Sequence, residues 1–179
     1  RGDGLHVWVV DEDGENLRKV TENLETDNSD DVWSPRPDWT PDGQSLVYAA
    51  DVDDNWDIYQ TNLTDGSVVR LTDDPADDGI PRCSPDGKYI SFRSQRSGEG
   101  ALWMMDTASG TVEKFDSEIT NMGEFYNWSP DSQWIVTDIR DTGWGWRVRT
   151  VVVSVQTGRA FSVPAPVSNE MDHATWTSS

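Results

Sequence analysis

The sequence is poor in the residues that most enzymes use for nucleophilic or metal chemistry. It holds one cysteine and two histidines among 179 residues, so an internal disulfide is excluded and a histidine-rich metal centre lacks ligands. A Gly-x-Ser-x-Gly pattern, which marks a nucleophile elbow, does not occur. No apolar run approaches the roughly 18 residues that a membrane-spanning helix needs. We therefore expect no catalytic residue in this chain and no insertion into a membrane.

Positive charge is also scarce. The chain has 14 Lys and Arg against 33 Asp and Glu, which gives a net charge of −19. A surface this negative repels phosphate, so nucleic acid is an unfavourable partner. Cations and basic protein surfaces remain possible partners. Hydrophobic residues make up only 35% of the chain, but its ten tryptophans each bring a large apolar area, which indicates a folded protein.

A short turn-forming motif recurs along the chain. It reads Trp-Thr-Pro-Asp-Gly at 39–43, Cys-Ser-Pro-Asp-Gly at 83–87 and Trp-Ser-Pro-Asp-Ser at 128–132, and a further copy begins at Trp176. The spacings are 44, 45 and 48 residues. A period near 45 without helical periodicity is typical of propeller blades, each made of about four short strands.

One unit, residues 77–121, shows how a repeat builds a sheet. Proline presets φ in its Ser84–Gly87 turn, the aspartate bonds back to the backbone, and glycine accepts a positive φ. In the strand that follows, Ile90 and Phe92 alternate with polar neighbours. The four strands are predicted at 80–83, 88–93, 101–105 and 111–115. Both faces of such a sheet are apolar, so it needs a neighbour on each side.

We therefore predict an all-β propeller of about three complete four-stranded blades, with split pieces at both termini. The predicted repeats are 1–32 (split), 33–76, 77–121, 122–168 and 169–179 (split). Residues 5–21 match the third and fourth strands of a blade, and residues 173–176 match a first strand. Propellers usually have 4–8 blades, so two alternatives stay open. Either the chain is an excerpt of a longer propeller, or several copies complete one another as a ring or a filament.

The repeat resembles the TolB-like, WD-related propeller family. The resemblance rests on Asn55-Trp56-Asp57-Ile58-Tyr59, on Asp65-Gly66, on Arg70-Leu71-Thr72, and on the segment Asp77 to Lys88 with its Cys-Ser-Pro-Asp-Gly turn. It covers nearly the whole chain and implies a propeller in a periplasmic or extracellular setting. It leaves function open, because such blades serve scaffold proteins, peptidase gating domains and lyases alike.

Two positions depart from the family pattern in ways that bear on chemistry. Cys83 stands where the other copies have tryptophan, so we interpret it as a small buried core residue and not as a nucleophile. Ser132 replaces the turn glycine.

Manganese-dependent lyases built on such propellers would need several converging histidines, and two are too few.

A metal site is predicted from alternating oxygen ligands. Asp51, Asp53, Asn55 and Asp57 occupy positions 1, 3, 5 and 7 of a loop-like segment, which is how calcium loops present carboxylates and carbonyls. Trp56, however, stands where such loops usually need glycine. The same stretch also fits an ordinary turn between strands, and both interpretations stay open. Other aspartates cluster in equivalent loops, where they either cap turns or form a negative rim for cations or basic partners.

A binding surface is predicted at Trp144, Trp146 and Arg147, in a Gly-Trp-Gly-Trp-Arg segment that the repeat does not require. Tryptophan beside arginine is typical of binding hot spots. The alternative is that these side chains cover a blade edge.

As the leading hypothesis we expect a non-enzymatic module that binds protein or self-associates. The alternative is the gating or substrate-binding propeller of a larger hydrolase or polysaccharide lyase. Calcium is the one cofactor that the sequence suggests.

Overall fold

A computed structural model describes residues 6–21, 35–98, 100–117, 119, 122–140 and 148–163. These residues form strands and turns without a helix, so nothing in this part of the chain resembles a membrane-spanning helix. A small sheet comes first in the chain, with strands β1 (Trp8–Val9) and β2 (Arg18–Lys19). Three four-stranded sheets follow.

Each of the three larger sheets is an antiparallel meander whose strands pair in chain order. The first sheet contains β3 (Asp38–Trp39), β4 (Ser45–Val52), β5 (Asn55–Asn62) and β6 (Val68–Arg70). The second contains β7 (Asp78–Cys83), β8 (Tyr89–Ser94), β9 (Ala101–Asp106) and β10 (Val112–Lys114). The third contains β11 (Met122–Trp128), β12 (Trp134–Arg140), β13 (Val148–Ser154) and β14 (Ala160–Ser162). The all-β prediction with repeated four-stranded sheets is confirmed, whereas the repeat boundaries stay predictions.

The apolar clusters lie between sheets. Ile90 and Phe92 of β8 pack against Val47 and Ile58 of the first sheet. The opposite face of the second sheet, including Leu102, packs against the third sheet. The two-stranded sheet covers the other face of the first sheet in the same way. Each sheet therefore shares its core with its neighbours, as the alternation in β8 predicts.

The Ser84–Gly87 turn has the predicted geometry. The N–H of Gly87 donates to the Ser84 carbonyl at 2.9 Å, and φ of Gly87 is +73°. The Asp86 carboxylate accepts hydrogen bonds from the Ser84 hydroxyl and the Lys88 N–H. The Lys88 ammonium, 2.9 Å away, is the main reason that the pKa of Asp86 falls to about 2. The turn therefore keeps its charge over the ordinary pH range.

Ser132 takes the place of the turn glycine in the third sheet at a φ of +60°. A left-handed conformation is unfavourable for a residue with a Cβ. The Ser132 hydroxyl oxygen, however, accepts a hydrogen bond from the Asp86 N–H at 3.0 Å. Ser132 thus links the turns of the second and third sheets.

Substitution of Ser132 separates these two effects. Ser132→Ala loses the hydrogen bond and keeps the strained φ, whereas Ser132→Gly loses the bond and relieves the strain. We expect the glycine variant to be more stable than the alanine variant by about 1 kcal/mol. Urea unfolding followed by tryptophan fluorescence measures the difference. An alanine variant as stable as the glycine variant would show that the conformation carries no strain.

Candidate binding surfaces

The predicted metal ligands lie on a β-hairpin. Asp51 is in β4, Asn55 and Asp57 are in β5, and Asp53 and Asp54 form the turn with φ of +59° and +62°. Two consecutive residues with positive φ are typical of a tight hairpin turn. The segment is therefore a hairpin and not an open loop, which agrees with the turn interpretation.

Asp57 is fully buried and its carboxylate is already engaged. It accepts hydrogen bonds from the Arg70 guanidinium at 2.5 Å, the Asn55 amide at 2.6 Å and the Thr72 hydroxyl at 3.0 Å. Thr72 in turn accepts from the Ile58 N–H at 2.9 Å. The Trp-Asp-Ile-Tyr and Arg-Leu-Thr motifs thus meet in one hydrogen-bonded unit that fixes β6 to β5.

A second buried carboxylate lies at the start of β7. Asp78 is fully buried, and its carboxylate accepts a hydrogen bond from the Arg96 guanidinium at 2.6 Å. Burial raises the pKa of Asp78, although Ser94 and Arg96 partly oppose this shift. The Arg96 guanidinium lies 5.5 Å from the Phe92 ring centre and 5.3 Å from that of Trp103. Arg96 therefore joins a charged pair to the core.

The other carboxylates of these loops differ in exposure, and Asp51 is buried. Asp53 and Asp54 are exposed, and Asp73 is exposed although it pairs with Arg70 at 2.9 Å. Within the described residues, no group of three or more His, Cys, Asp and Glu side chains is placed to share a metal ion. Arg70 and Arg96 partly neutralise the charge of these loops through ion pairs with Asp73 and Asp74. The calcium prediction is not tested by this geometry and stays a prediction.

Trp144, Trp146 and Arg147 lie outside the described residues. Their role as a binding surface stays a prediction.

Tryptophans at the repeated turn differ in exposure. The Trp128 side chain is 7% exposed, because it packs parallel to Tyr89 of β8, with ring centres 6.5 Å apart. Its indole N–H donates to the Ser91 hydroxyl at 2.9 Å. Trp39, at the same position in the first sheet, is 53% exposed. The sequence repeat located both residues but could not show which one is covered.

Cys83, at the third such position, is half-buried and not fully buried, a correction to the sequence interpretation. It packs against the core between the first and second sheets, and its N–H donates to the Asp38 carboxylate at 2.8 Å. Burial is the main reason that the pKa of the Cys83 thiol rises to about 12. At neutral pH the thiol therefore stays protonated, which makes it a poor nucleophile.

We expect Cys83 to resist thiol reagents in the native chain. A thiol of pKa about 12 is about a thousandfold less ionised at pH 8 than an unfolded cysteine. Ellman's reagent should therefore react at least a hundredfold more slowly with native chain than with chain in urea. Native and unfolded rates within tenfold of each other would contradict the assignment.

The sheet architecture is that of the β-propeller class of proteins, in which four-stranded meanders pack face to face. A family model described as TolB beta propeller domain matches residues 20–170. The chain therefore belongs to the TolB β-propeller family, and the resemblance inferred from the sequence is confirmed.

Similar proteins include both uncharacterized and enzymatic members. An uncharacterized protein of Agrobacterium fabrum is 34% identical over 108 residues, which are 60% of this chain and 34% of that protein. The uncharacterized peptidase YuxL of Bacillus subtilis is 32% identical over 117 residues, 58% of this chain and 17% of the peptidase. The structure of a putative TolB from Agrobacterium tumefaciens matches with a TM-score of 0.71 and 25% identity, covering 88% of this chain and 55% of that one. The matched region thus spans about a third or less of these two curated relatives.

Proposed function

We propose that the chain acts without catalysis, as a propeller module that binds protein and is completed by strands from another copy of itself. The observation that carries this proposal is the exposed indole of Trp39 at a position where Trp128 is buried. The two residues share one place in the repeat, so the surroundings of Trp128 indicate what Trp39 is built to contact.

The covering group can be described from the third sheet. Trp128 is covered by a ring and a hydroxyl, those of Tyr89 and Ser91, on the second strand of the preceding sheet. The sheet that precedes Trp39 is two-stranded, and β1 pairs only with β2 among the described residues. Val7 and Val20, which flank these strands, pack on the first sheet, as the third and fourth strands of a blade would. The first two strand positions of that blade have no strand among the described residues, and we propose that another copy supplies the first of them.

The exposed side chains near β1 support this interpretation. Trp8 and Val10 are exposed as well as Trp39, and apolar side chains at an open sheet edge favour pairing with another chain. The predicted strand at 173–176, outside the described residues, is the segment that we propose is donated.

Light scattering across a dilution series tests the proposal. We expect assemblies at high concentration that dissociate on dilution, and a weaker assembly for Trp39→Ser. Val69→Ser is the matched control, since Val69 is 55% exposed on β6, the outer strand of the first sheet. Removal of residues 169–179 should abolish assembly. A compact monomer at every concentration would overturn self-association.

A second candidate function is the propeller portion of a larger enzyme. The match to 17% of a peptidase favours it, since the catalytic groups would then lie outside this chain. In that case the strands beside Trp39 come from the same polypeptide. The full-length gene discriminates the two candidates, because only the enzyme requires continuation into a catalytic domain.

Calcium binding at Asp51, Asp53, Asn55 and Asp57 is kept as a separate proposal. An ion that used Asp57 would have to compete with Arg70, which lies 2.5 Å from its carboxylate. Thermal unfolding with calcium and with a chelator tests the site, and a midpoint raised by calcium is the expected result. Equal midpoints would contradict it. A periplasmic or extracellular location, which cell fractionation would test, is likewise proposed.

A further inference from the structure

A cleft of about 560 Å³ lies between the second and third sheets. The second sheet lines it with β9, β10 and the residues that follow, and the third sheet lines it with the β13–β14 turn, residues 155–158. Its lining includes the apolar surfaces of Tyr89 and Met104 and the charged side chains of Asp106, Glu113, Lys114 and Asp116. The cleft is separate from the acidic loops at 51–57 and 73–78 and from the edge at Trp39.

Its walls are held in place by packing and backbone hydrogen bonds. Tyr89 packs in parallel against Trp128, and the Val155 N–H donates to the Gln133 carbonyl at 2.9 Å. A Cβ added to Gly158 would lie 2.1 Å from the Asp116 carbonyl oxygen, so the β13–β14 turn packs closely against the segment that follows β10. The cleft is hence formed by contacts within the chain before any partner arrives.

The charge of the cleft is negative. Three carboxylates and one ammonium line it, and Glu113 and Asp116 are exposed. Asp106 accepts hydrogen bonds from the N–H groups of Ala108 and Ser109, and these bonds lower its pKa. The combination of apolar lining and carboxylates suits a side chain that has an aliphatic stem and a cationic head.

We propose that this cleft receives a lysine or arginine side chain from an extended segment of a partner protein. The apolar surfaces contact the stem, and Glu113 and Asp116 contact the cationic head. Charge complementarity selects this occupant, because the cleft carries an excess of two negative charges and an acidic or neutral segment would leave them unpaired. The inference goes beyond the proposed self-association and does not depend on it.

Titration of capped hexapeptides into the chain, followed by ¹⁵N chemical shifts, tests the inference. The peptides carry one central lysine, arginine, norleucine or glutamate among glycine and serine. We expect the lysine and arginine peptides to shift the amides around the cleft, and the norleucine and glutamate peptides to bind at least fivefold more weakly. Equal binding of norleucine and lysine would overturn the proposal.

A pair of matched variants distinguishes the cleft from general charge attraction. Glu113→Gln/Asp116→Asn and Asp53→Asn/Asp54→Asn each remove two exposed carboxylates, and all four side chains face solvent. We expect the cleft pair to weaken the lysine peptide at least fivefold, and the hairpin pair to change it less than twofold. Equal losses of affinity for the lysine peptide in both variants would show non-specific charge attraction and would contradict the proposal. A chain that is monomeric at every concentration and still binds the lysine peptide would contradict the proposed self-association and support the proposed cleft.

Discussion

Phe92→Ala is expected to lower the free energy of unfolding by about 3–5 kcal/mol, since it removes a buried ring and leaves a cavity. The Phe92 side chain is 0% exposed and lies in the cluster that joins the first and second sheets. Its ring also lies beneath the Arg96 guanidinium. Urea unfolding followed by tryptophan fluorescence measures the loss.

Phe161→Ala is the control for this prediction. Phe161 is 47% exposed and makes an edge contact with Trp134, with ring centres 5.9 Å apart. Removal of the Phe161 ring should lower the free energy of unfolding by about 1 kcal/mol. If the two alanine variants were equally destabilised, the contact between the first and second sheets would not be the core that the structure describes.

Arg96→Ala is expected to lower the free energy of unfolding about as much as Phe92→Ala does, by roughly 3–5 kcal/mol, because it leaves the buried Asp78 carboxylate without its cation. It also removes the guanidinium from the Phe92 and Trp103 rings. Arg96→Lys should recover only part of the loss, since an ammonium cannot reproduce the planar contacts. The same urea unfolding experiment measures both variants.

The cost of Arg96→Ala should depend on pH. Burial raises the pKa of Asp78 above its unfolded value, so the folded state binds a proton more readily than the unfolded state does. The contribution of Asp78 to the free energy of unfolding therefore becomes more favourable as the pH falls from neutral towards about 4. Arg96 opposes that shift, so the pKa of Asp78 rises further without it. The variant should consequently lose less stability at pH 4.5 than at pH 7.

Asp78→Asn provides the control, because the amide cannot ionise. In the Asp78→Asn background, Arg96→Ala should lower the free energy of unfolding by less, and the pH dependence of that loss should shrink to what the pair of Arg96 with Asp74, 3.4 Å apart, contributes. A cost that is the same at both pH values, with and without Asp78, would show that Arg96 acts only through its ring contacts.

The sequence was sufficient to predict the elements that depend on local chemistry. The Ser84–Gly87 turn follows from the conformational preferences of proline, aspartate and glycine, and the opposite faces of β8 follow from the alternation at Ile90 and Phe92. The family follows from the repeated motifs. These features need no knowledge of which sheet packs against which.

The site chemistry depended on contacts between segments and was harder to predict. Asp57 was a candidate calcium ligand from its spacing, but its partners Arg70 and Thr72 lie at the end of β6 and just after it, and are found only from the register. Arg96 gave no signal in the sequence, since its partner Asp78 and the ring of Trp103 are brought to it by the fold. The exposure of Trp39 likewise depends on the sheet before it.

The placement of the apolar clusters between sheets has a consequence for how such a chain grows. Each unit of about 45 residues carries half of an interface on either face, so tandem duplication of a unit inserts one more interface of the same kind and leaves existing ones unaltered. Stability then rises in steps with copy number. A chain of this kind is therefore expected to stay folded when a unit is added, because the added unit brings its own interface.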